Sequence, residues 1–166
     1  LMRECLPLVD VVVELRDARI PRSSRNPELG RLIGKKPRVG LLNKADEADE
    51  KATRAWLEDL KGRGTTALAT DCKSGKGLGQ FVPAVRSVMG QELQRRASKG
   101  MAGRPIRIMI VGIPNAGKPS LINRLAKSRR TKVEDRPGVT RGKQWVKLDS
   151  GLELLDMPGV LWPKFD

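Results

Sequence analysis

The chain of 166 residues contains no histidine and no tyrosine, and only three tryptophans and two phenylalanines. The absence of histidine excludes acid–base catalysis and metal ligation by imidazole. The scarcity of aromatic rings argues against a platform on which nucleic-acid bases stack. The two cysteines, Cys5 and Cys72, are isolated and form neither a metal-binding nor a disulfide motif. This usage is typical of a reducing, intracellular setting, so we expect the cytoplasm or an organelle matrix.

The sequence also lacks long hydrophobic runs. None approaches the roughly 18 residues that a membrane-spanning helix needs, and no signal-peptide pattern opens the chain. We therefore expect no membrane partner. Hydrophobic residues make up 39% of the chain, a globular composition whose length fits one domain. The first residue is Leu and the last five are Trp-Pro-Lys-Phe-Asp, so we expect both ends to continue into a longer protein.

Acidic residues are few compared with basic ones. The chain has 19 Asp and Glu against 33 Lys and Arg, which gives a net charge of +14. This excess predicts a polyanionic partner, namely nucleic acid contacted mainly through its phosphate backbone. Basic clusters lie at residues 95–99 and 127–132. The alternative is a basic surface without such a partner.

Residues 112–120, Gly-Ile-Pro-Asn-Ala-Gly-Lys-Pro-Ser, follow an apolar run of strand length and precede a helical pattern. A glycine-bounded loop in this context is typical of a phosphate-binding loop. Gly112 and Gly117 allow backbone angles that a side chain would block, and the loop amides and the helix N-terminus attract phosphates. Lys118 supplies a positive charge, but Pro119 stands where Ser or Thr is usual. The alternative is an ordinary glycine-rich turn.

Hydrophobic patterns predict strands that alternate with helices along the chain. We expect strands at 9–15, 37–42, 65–70 and 106–111, helices at 50–63, 78–97 and 121–125, and a hairpin formed by 144–148 and 152–155. The predicted class is α/β, with three layers and a mainly parallel sheet that helices cover on both faces. The chain divides into a first half at 1–98, a basic linker at 95–104 and a second half at 105–166.

Asn43, Lys44, Ala45 and Asp46 follow a predicted strand, at the end where ligands bind in open α/β sheets. The Asp46 carboxylate can accept two hydrogen bonds from guanine, from N1–H and from the exocyclic amine. Adenine offers no matching pair, so this motif selects guanine. We expect Asn43 to connect neighbouring loops and the Lys44 stem to lie over the base. The alternative is that Asp46 caps the helix that follows.

Further motifs follow two other predicted strands. Asp71 and Cys72 are expected to present backbone amides to the guanine carbonyl, although a plain turn is an equal alternative. Thr140 is a candidate magnesium ligand, Asp156 a carboxylate near magnesium, and Gly159 an amide at the γ-phosphate. With the phosphate loop, these motifs predict a Ras-like GTPase. The guanine motifs precede the phosphate loop, so the order indicates a circular permutation.

In this order the sequence resembles the YlqF/RbgA family of ribosome-assembly GTPases. The resemblance covers nearly the whole chain and rests on the segments 17–21, 23–27, 42–46, 112–115, 135–138 and 155–164. It implies a circularly permuted Ras-like P-loop GTPase that binds GTP, GDP and magnesium. It also implies GTP hydrolysis in late large-subunit assembly, contacts with the large ribosomal subunit and its rRNA, and potassium near Asn115. The family's C-terminal RNA-binding domain is absent from these residues, and we expect a monomer.

The predicted site assigns catalysis to Lys118 and Gly159 and magnesium to Thr140 and Asp156. The nucleotide-binding set is Asn43, Lys44, Ala45, Asp46, Asp71, Cys72, Asn115, Ala116, Gly117, Lys118, Pro119, Ser120 and Gly159. Val160 stands where many GTPases have a water-orienting Gln, so no general base is identified. Pro119 lacks both a hydroxyl and an N–H, which predicts weak, magnesium-insensitive binding. The alternatives are an ATPase, a nucleotide-gated rRNA-binding module with little or no turnover, and a domain that binds no nucleotide.

Overall fold

The computed structural model describes residues 2–19, 31, 33–44, 48–62, 65–101, 103–112, 117–126, 133–134, 144–148 and 151–156, and the structural statements below concern these residues. The helices are α1 (Met2–Cys5), α2 (Glu50–Gly62), α3 (Phe81–Val88), α4 (Gly90–Ser98) and α5 (Lys118–Ala126). The strands are β1 (Val11–Asp17), β2 (Arg38–Asn43), β3 (Thr66–Ala69), β4 (Ile106–Gly112), β5 (Val133–Glu134), β6 (Gln144–Lys147) and β7 (Leu152–Asp156).

The seven strands form one sheet in the order β3-β2-β1-β4-β7-β6-β5. Strands β3, β2, β1, β4 and β7 pair with their neighbours in parallel. At one edge, β6 pairs antiparallel with β7, and β5 pairs antiparallel with β6. An interior strand, β1, has the sequence Val-Val-Val-Glu-Leu-Arg-Asp and is buried along its whole length. A strand covered on both faces needs apolar residues on both faces, which explains this continuous run.

Both faces of the sheet are covered, so the predicted three-layer α/β arrangement is confirmed. On one face Val13 and Leu15 pack in a cluster with Phe81 of α3 and Leu121 of α5. On the other face Val12 packs in a second cluster, whose members outside the sheet are Cys5, Leu6, Val9 and Ile33. Successive β1 residues join different clusters because side chains alternate across a strand.

The predicted elements are confirmed, with three differences. The helix expected at 78–97 is a 3₁₀ turn, Leu78–Gln80, followed by α3 and α4, which separate at Met89. Gly90 follows the break, and glycine disfavours a helix interior because it loses more conformational freedom than other residues. The short elements α1 and β5 were not predicted, because two to four residues carry too little periodicity.

The basic cluster at 95–99 is only partly available at the surface. Arg96 is buried, and its guanidinium lies 2.6 Å from Asp10 Oδ1, at the start of the sheet. Asp10 Oδ2 also accepts the backbone N–H of Arg107, so one carboxylate joins α4 to β4. Arg95 forms two hydrogen bonds with Glu92. Lys99 therefore remains the better candidate for contact with a polyanion. The cluster at 127–132 lies outside the described residues.

Candidate functional site

The strands that precede the predicted motifs end at one edge of the sheet. Strands β2, β1, β4 and β7 are parallel neighbours, so their carboxyl ends lie side by side. These ends carry Asn43, Asp17, Gly112 and Asp156, respectively. In open α/β sheets ligands bind at this edge. The strand order therefore places the ends of β2 and β4, which lead into the predicted guanine motif and the predicted phosphate loop, at the same edge with β1 between them.

Asn43 connects the two halves directly. Its side chain is buried, and Oδ1 accepts the backbone N–H of Cys72 at 2.8 Å. Its backbone oxygen accepts the N–H of Ala18 at 2.7 Å. On the other side, Nδ2 lies so close to Gly117 that a Cβ there would collide with it. One amide thus contacts both the loop after β3 and the end of the phosphate loop.

The two glycines of the phosphate loop are required for different reasons. Gly117 has φ 107°, a conformation that a side chain disfavours, as the sequence predicted. Gly112 does not have a positive φ. Instead, a Cβ there would lie 2.7 Å from the backbone oxygen of Leu15 on β1. The backbone-angle explanation is therefore wrong for Gly112, where close approach of two neighbouring strands requires glycine.

Lys44 lies beside the turn that follows β1. The Asp17 carboxylate is buried and accepts hydrogen bonds from the Arg19 backbone N–H, Nε and Nη2 at 2.9, 3.0 and 2.8 Å. These bonds hold the Asp17 pKa below its ordinary value, against the opposing effect of burial. Lys44 Nζ lies 3.5 Å from Asp17 Oδ2, and Lys44 has φ 62°. The backbone after Asn43 therefore turns sharply, and the Lys44 ammonium lies beside a carboxylate.

Hydrogen bonds among its own residues stabilise the loop after β3. The Asp71 N–H donates to the Lys76 oxygen, and the Asp71 oxygen accepts the Gly75 N–H. The Asp71 carboxylate accepts the Lys73 N–H at 3.1 Å and the Ser74 hydroxyl at 3.0 Å. The Cys72 side chain is buried, which raises the pKa of its thiol to about 11. The turn is therefore well defined. The sequence predicted that the Asp71 and Cys72 backbone amides present their hydrogens to the guanine carbonyl, whereas in this structure they donate to the Lys76 oxygen and to Asn43 Oδ1, respectively.

Arg124 of α5 is a site residue that the sequence analysis missed. Its Nε donates to the backbone oxygen of Lys73 at 3.1 Å, and its Nη2 donates to the same oxygen. The guanidinium also lies against Gly75. A cavity of about 350 Å³ is lined by Cys72, Lys73, Ser120, Asn123 and Arg124. No local signal marks Arg124, because its contact partner lies 51 residues earlier in the chain.

Pro119 is the second residue of α5 and is exposed. The helix begins at Lys118, although the residue before proline disfavours helical geometry. The first hydrogen bond of the helix, from the Leu121 N–H to the Gly117 oxygen, measures 3.0 Å. Proline in the first turn removes no internal helix bond, so the helix forms as expected.

Several predicted site residues lie outside the described part of the chain, namely Ala45, Asp46, Asn115, Ala116, Thr140 and Gly159. Asp156 is described by its backbone, as the last residue of β7. The alternative role of Asp46 as a helix cap is filled by Asp49, whose carboxylate accepts the Lys51 N–H at 3.0 Å. Within the described ranges, no group of three or more acidic or cysteine side chains is placed to hold a metal. No helix there is long and apolar enough to cross a membrane.

The positions of the loop and the motif in the sheet identify the type of fold. A glycine-bounded loop joins β4 to α5 within a mainly parallel three-layer sheet, and the Asn-Lys-Ala-Asp motif ends β2, earlier in the chain. This is a circularly permuted P-loop GTPase fold.

Comparisons with known proteins agree. A family model described as "50S ribosome-binding GTPase" matches residues 107–166. "Ribosome biogenesis GTPase A" of Priestia megaterium is 52% identical over 98% of this chain, which spans 57% of that relative's length. The GDP-bound structure of TM YlqF is 32% identical with a TM-score of 0.65, and the match covers 98% of this chain and 59% of that one. The GNP-bound YlqF of T. maritima is 32% identical with a TM-score of 0.64, over 99% and 58%. The chain belongs to the YlqF/RbgA family of circularly permuted GTPases.

Proposed function

We propose that this chain binds GTP and GDP and hydrolyses GTP. The observation that carries the proposal is Asn43, whose amide contacts both the loop after β3 and Gly117 of the phosphate loop. A base-recognition motif is thereby fixed beside a phosphate-binding loop. Two similar structures are described as GDP-bound and GNP-bound, which supports a guanine nucleotide as the ligand.

The proposed roles follow the direction of the nucleotide across the sheet edge. Asp46 selects guanine with Lys44 over the base, and the loop after β3 holds Asn43 through the Cys72 N–H. Lys118 and the amides of residues 115–120 hold the phosphates, and Gly159 contacts the γ-phosphate.

We propose a magnesium site at the same edge. Strand β7 pairs with β4 so that Leu155 lies opposite Met109, which places Asp156 near the strand end where the phosphate loop begins. We propose that Asp156 and Thr140 hold the ion, and that Asn115 lies near a potassium ion. Bound magnesium would neutralise charge on the phosphate oxygens during hydrolysis.

We also propose a place of action, the late assembly of the large ribosomal subunit in the cytoplasm, with the chain binding rRNA as a monomer. Support comes from the relative named for ribosome biogenesis and from the net charge of +14. Phosphate contacts release counterions, so rRNA affinity should fall steeply with salt. Affinity that stays flat between low and moderate salt would refute this part of the proposal.

Phosphate release from GTP tests the enzymatic proposal. Lys118→Ala removes the positive charge at the phosphates. Loss of one charge-assisted contact weakens the bound state by a factor of roughly ten or more. We expect phosphate release to fall at least that far. Lys99→Ala, an exposed residue beyond α4, is the control and should not change the rate. Equal rates for both variants would reject the assignment of Lys118.

A second candidate function is a nucleotide-gated rRNA-binding module with little or no turnover. The observation that favours it is Pro119 in the first turn of α5, where it offers neither a hydroxyl to magnesium nor an N–H to a phosphate. Loss of one such contact costs about 1.5–3 kcal/mol, or roughly tenfold to a hundredfold in affinity. Pro119→Ser should then tighten GTP binding and make it magnesium-dependent. Tight, magnesium-dependent binding by the unmodified chain, unchanged by the substitution, would exclude this candidate.

A further inference from the structure

Arg124 makes a contact that the proposed roles do not use. Both Nε and Nη2 of its guanidinium donate to the backbone oxygen of Lys73, in the loop that follows β3. Gly75 packs against the same group, and an added Cβ there would lie 3.3 Å from Nη1. An arginine fork that holds one oxygen through two donors fixes direction as well as distance.

The contact links the two ends of the site. Arg124 lies on α5, whose first residue is Lys118 of the phosphate loop, whereas Lys73 directly follows Cys72. The cavity of about 350 Å³ lies between this loop and α5. From the opposite side, Asn43 Oδ1 holds the Cys72 N–H. The loop is therefore fixed from two directions, by β2 and by α5.

We propose that Arg124 is a positioning residue for guanine recognition. It acts through the Lys73 carbonyl, because that bond fixes the loop whose Cys72 N–H holds the side chain of Asn43, the first residue of the guanine motif. The inference rests on the proposed binding of guanine nucleotides. It predicts that Arg124 matters for the guanine base and not for the phosphates, although the residue belongs to the phosphate-loop helix.

A thermodynamic cycle tests the proposal. One arm replaces Arg124 by Met, which keeps an aliphatic stem and removes every donor. The other arm replaces GDP by inorganic pyrophosphate, a fragment analogue that keeps the two phosphates and lacks the base. We expect Arg124→Met to weaken GDP about fivefold, a modest loss because the contact is exposed. Affinity for the analogue should stay unchanged. Arg124→Lys keeps the charge and loses the paired donors of the guanidinium. Its affinity for GDP should lie between the affinities of the unmodified chain and of Arg124→Met.

The control is Arg54→Met. Arg54 is an exposed arginine on α2 that pairs with Glu50 at i,i+4, and its loss should leave both affinities unchanged. Thermal unfolding of each variant shows whether the fold is retained. If Arg124→Met weakens GDP and the analogue equally, or weakens neither, the positioning role is wrong. Failure of the unmodified chain to bind GDP would instead reject the proposed function.

Discussion

Gly117→Ala should damage both stability and nucleotide binding. At φ 107° an L-residue is strained, which costs on the order of 1–2 kcal/mol or more. The new Cβ would also collide with Asn43 Nδ2. If Asn43 moves away, its buried bond to the Cys72 N–H is lost, at about 1–3 kcal/mol. We therefore expect a loss of about 2–5 kcal/mol in the free energy of unfolding.

Urea unfolding followed by circular dichroism measures this loss, and labelled GDP measures binding. Gly90→Ala is the matched control. Gly90 begins α4, is exposed, lacks a positive φ and has open space at its Cβ position. Alanine favours helices, so the free energy of unfolding of this variant should be unchanged or higher by up to about 1 kcal/mol.

If Gly117→Ala unfolds at the same urea concentration as Gly90→Ala and binds GDP as tightly as the unmodified chain, Asn43 does not press against Gly117. The proposed connection between the guanine motif and the phosphate loop would then be wrong.

Three further predictions concern buried polar groups. Burial and a pKa of about 11 predict that Cys72 resists Ellman's reagent at pH 8 until denaturant is added, and rapid reaction of the folded chain would contradict this. The folded-state pKa of Asp17 is lowered, so its contribution to stability is complete above its ordinary pKa of 3.8 and disappears as pH falls towards the folded value. Asp17→Asn should abolish that part of the acid dependence in urea titrations, and an unchanged profile would refute it. Arg96→Met should lower the urea midpoint by leaving Asp10 without this partner, whereas Lys99→Met should not, and equal midpoints would count against the Asp10–Arg96 pair.

The sequence predicted most of the fold because its strands are strongly apolar. The runs around Val13 and Ile108 are buried on both faces. Such apolar runs can be recognised in a sequence without knowing which strands pair with them. The parallel order followed from the alternation of strands and helices. The break at Met89 was missed because the apolar spacing continues across it, and only Gly90 marks the change.

The contacts that were missed join distant parts of the chain. Arg96 looked like a surface cation, since its partner Asp10 is 86 residues away. Arg124 looked like an ordinary polar helix residue for the same reason, and the need for glycine at position 112 depends on the neighbouring strand β1. Local patterns reveal which loops bind, and the folded arrangement reveals which residues hold those loops in place.

Displacement of labelled GDP measures whether the site selects guanine. GDP, ATP and XDP are titrated against the complex with and without magnesium, and again with Asp46→Asn. The account predicts that GDP displaces the label and ATP does not, because adenine lacks the donor pair for Asp46. It also predicts that Asp46→Asn shifts preference towards XDP, whose ring has a carbonyl where guanine has an amine. ATP that competes as well as GDP would contradict the account.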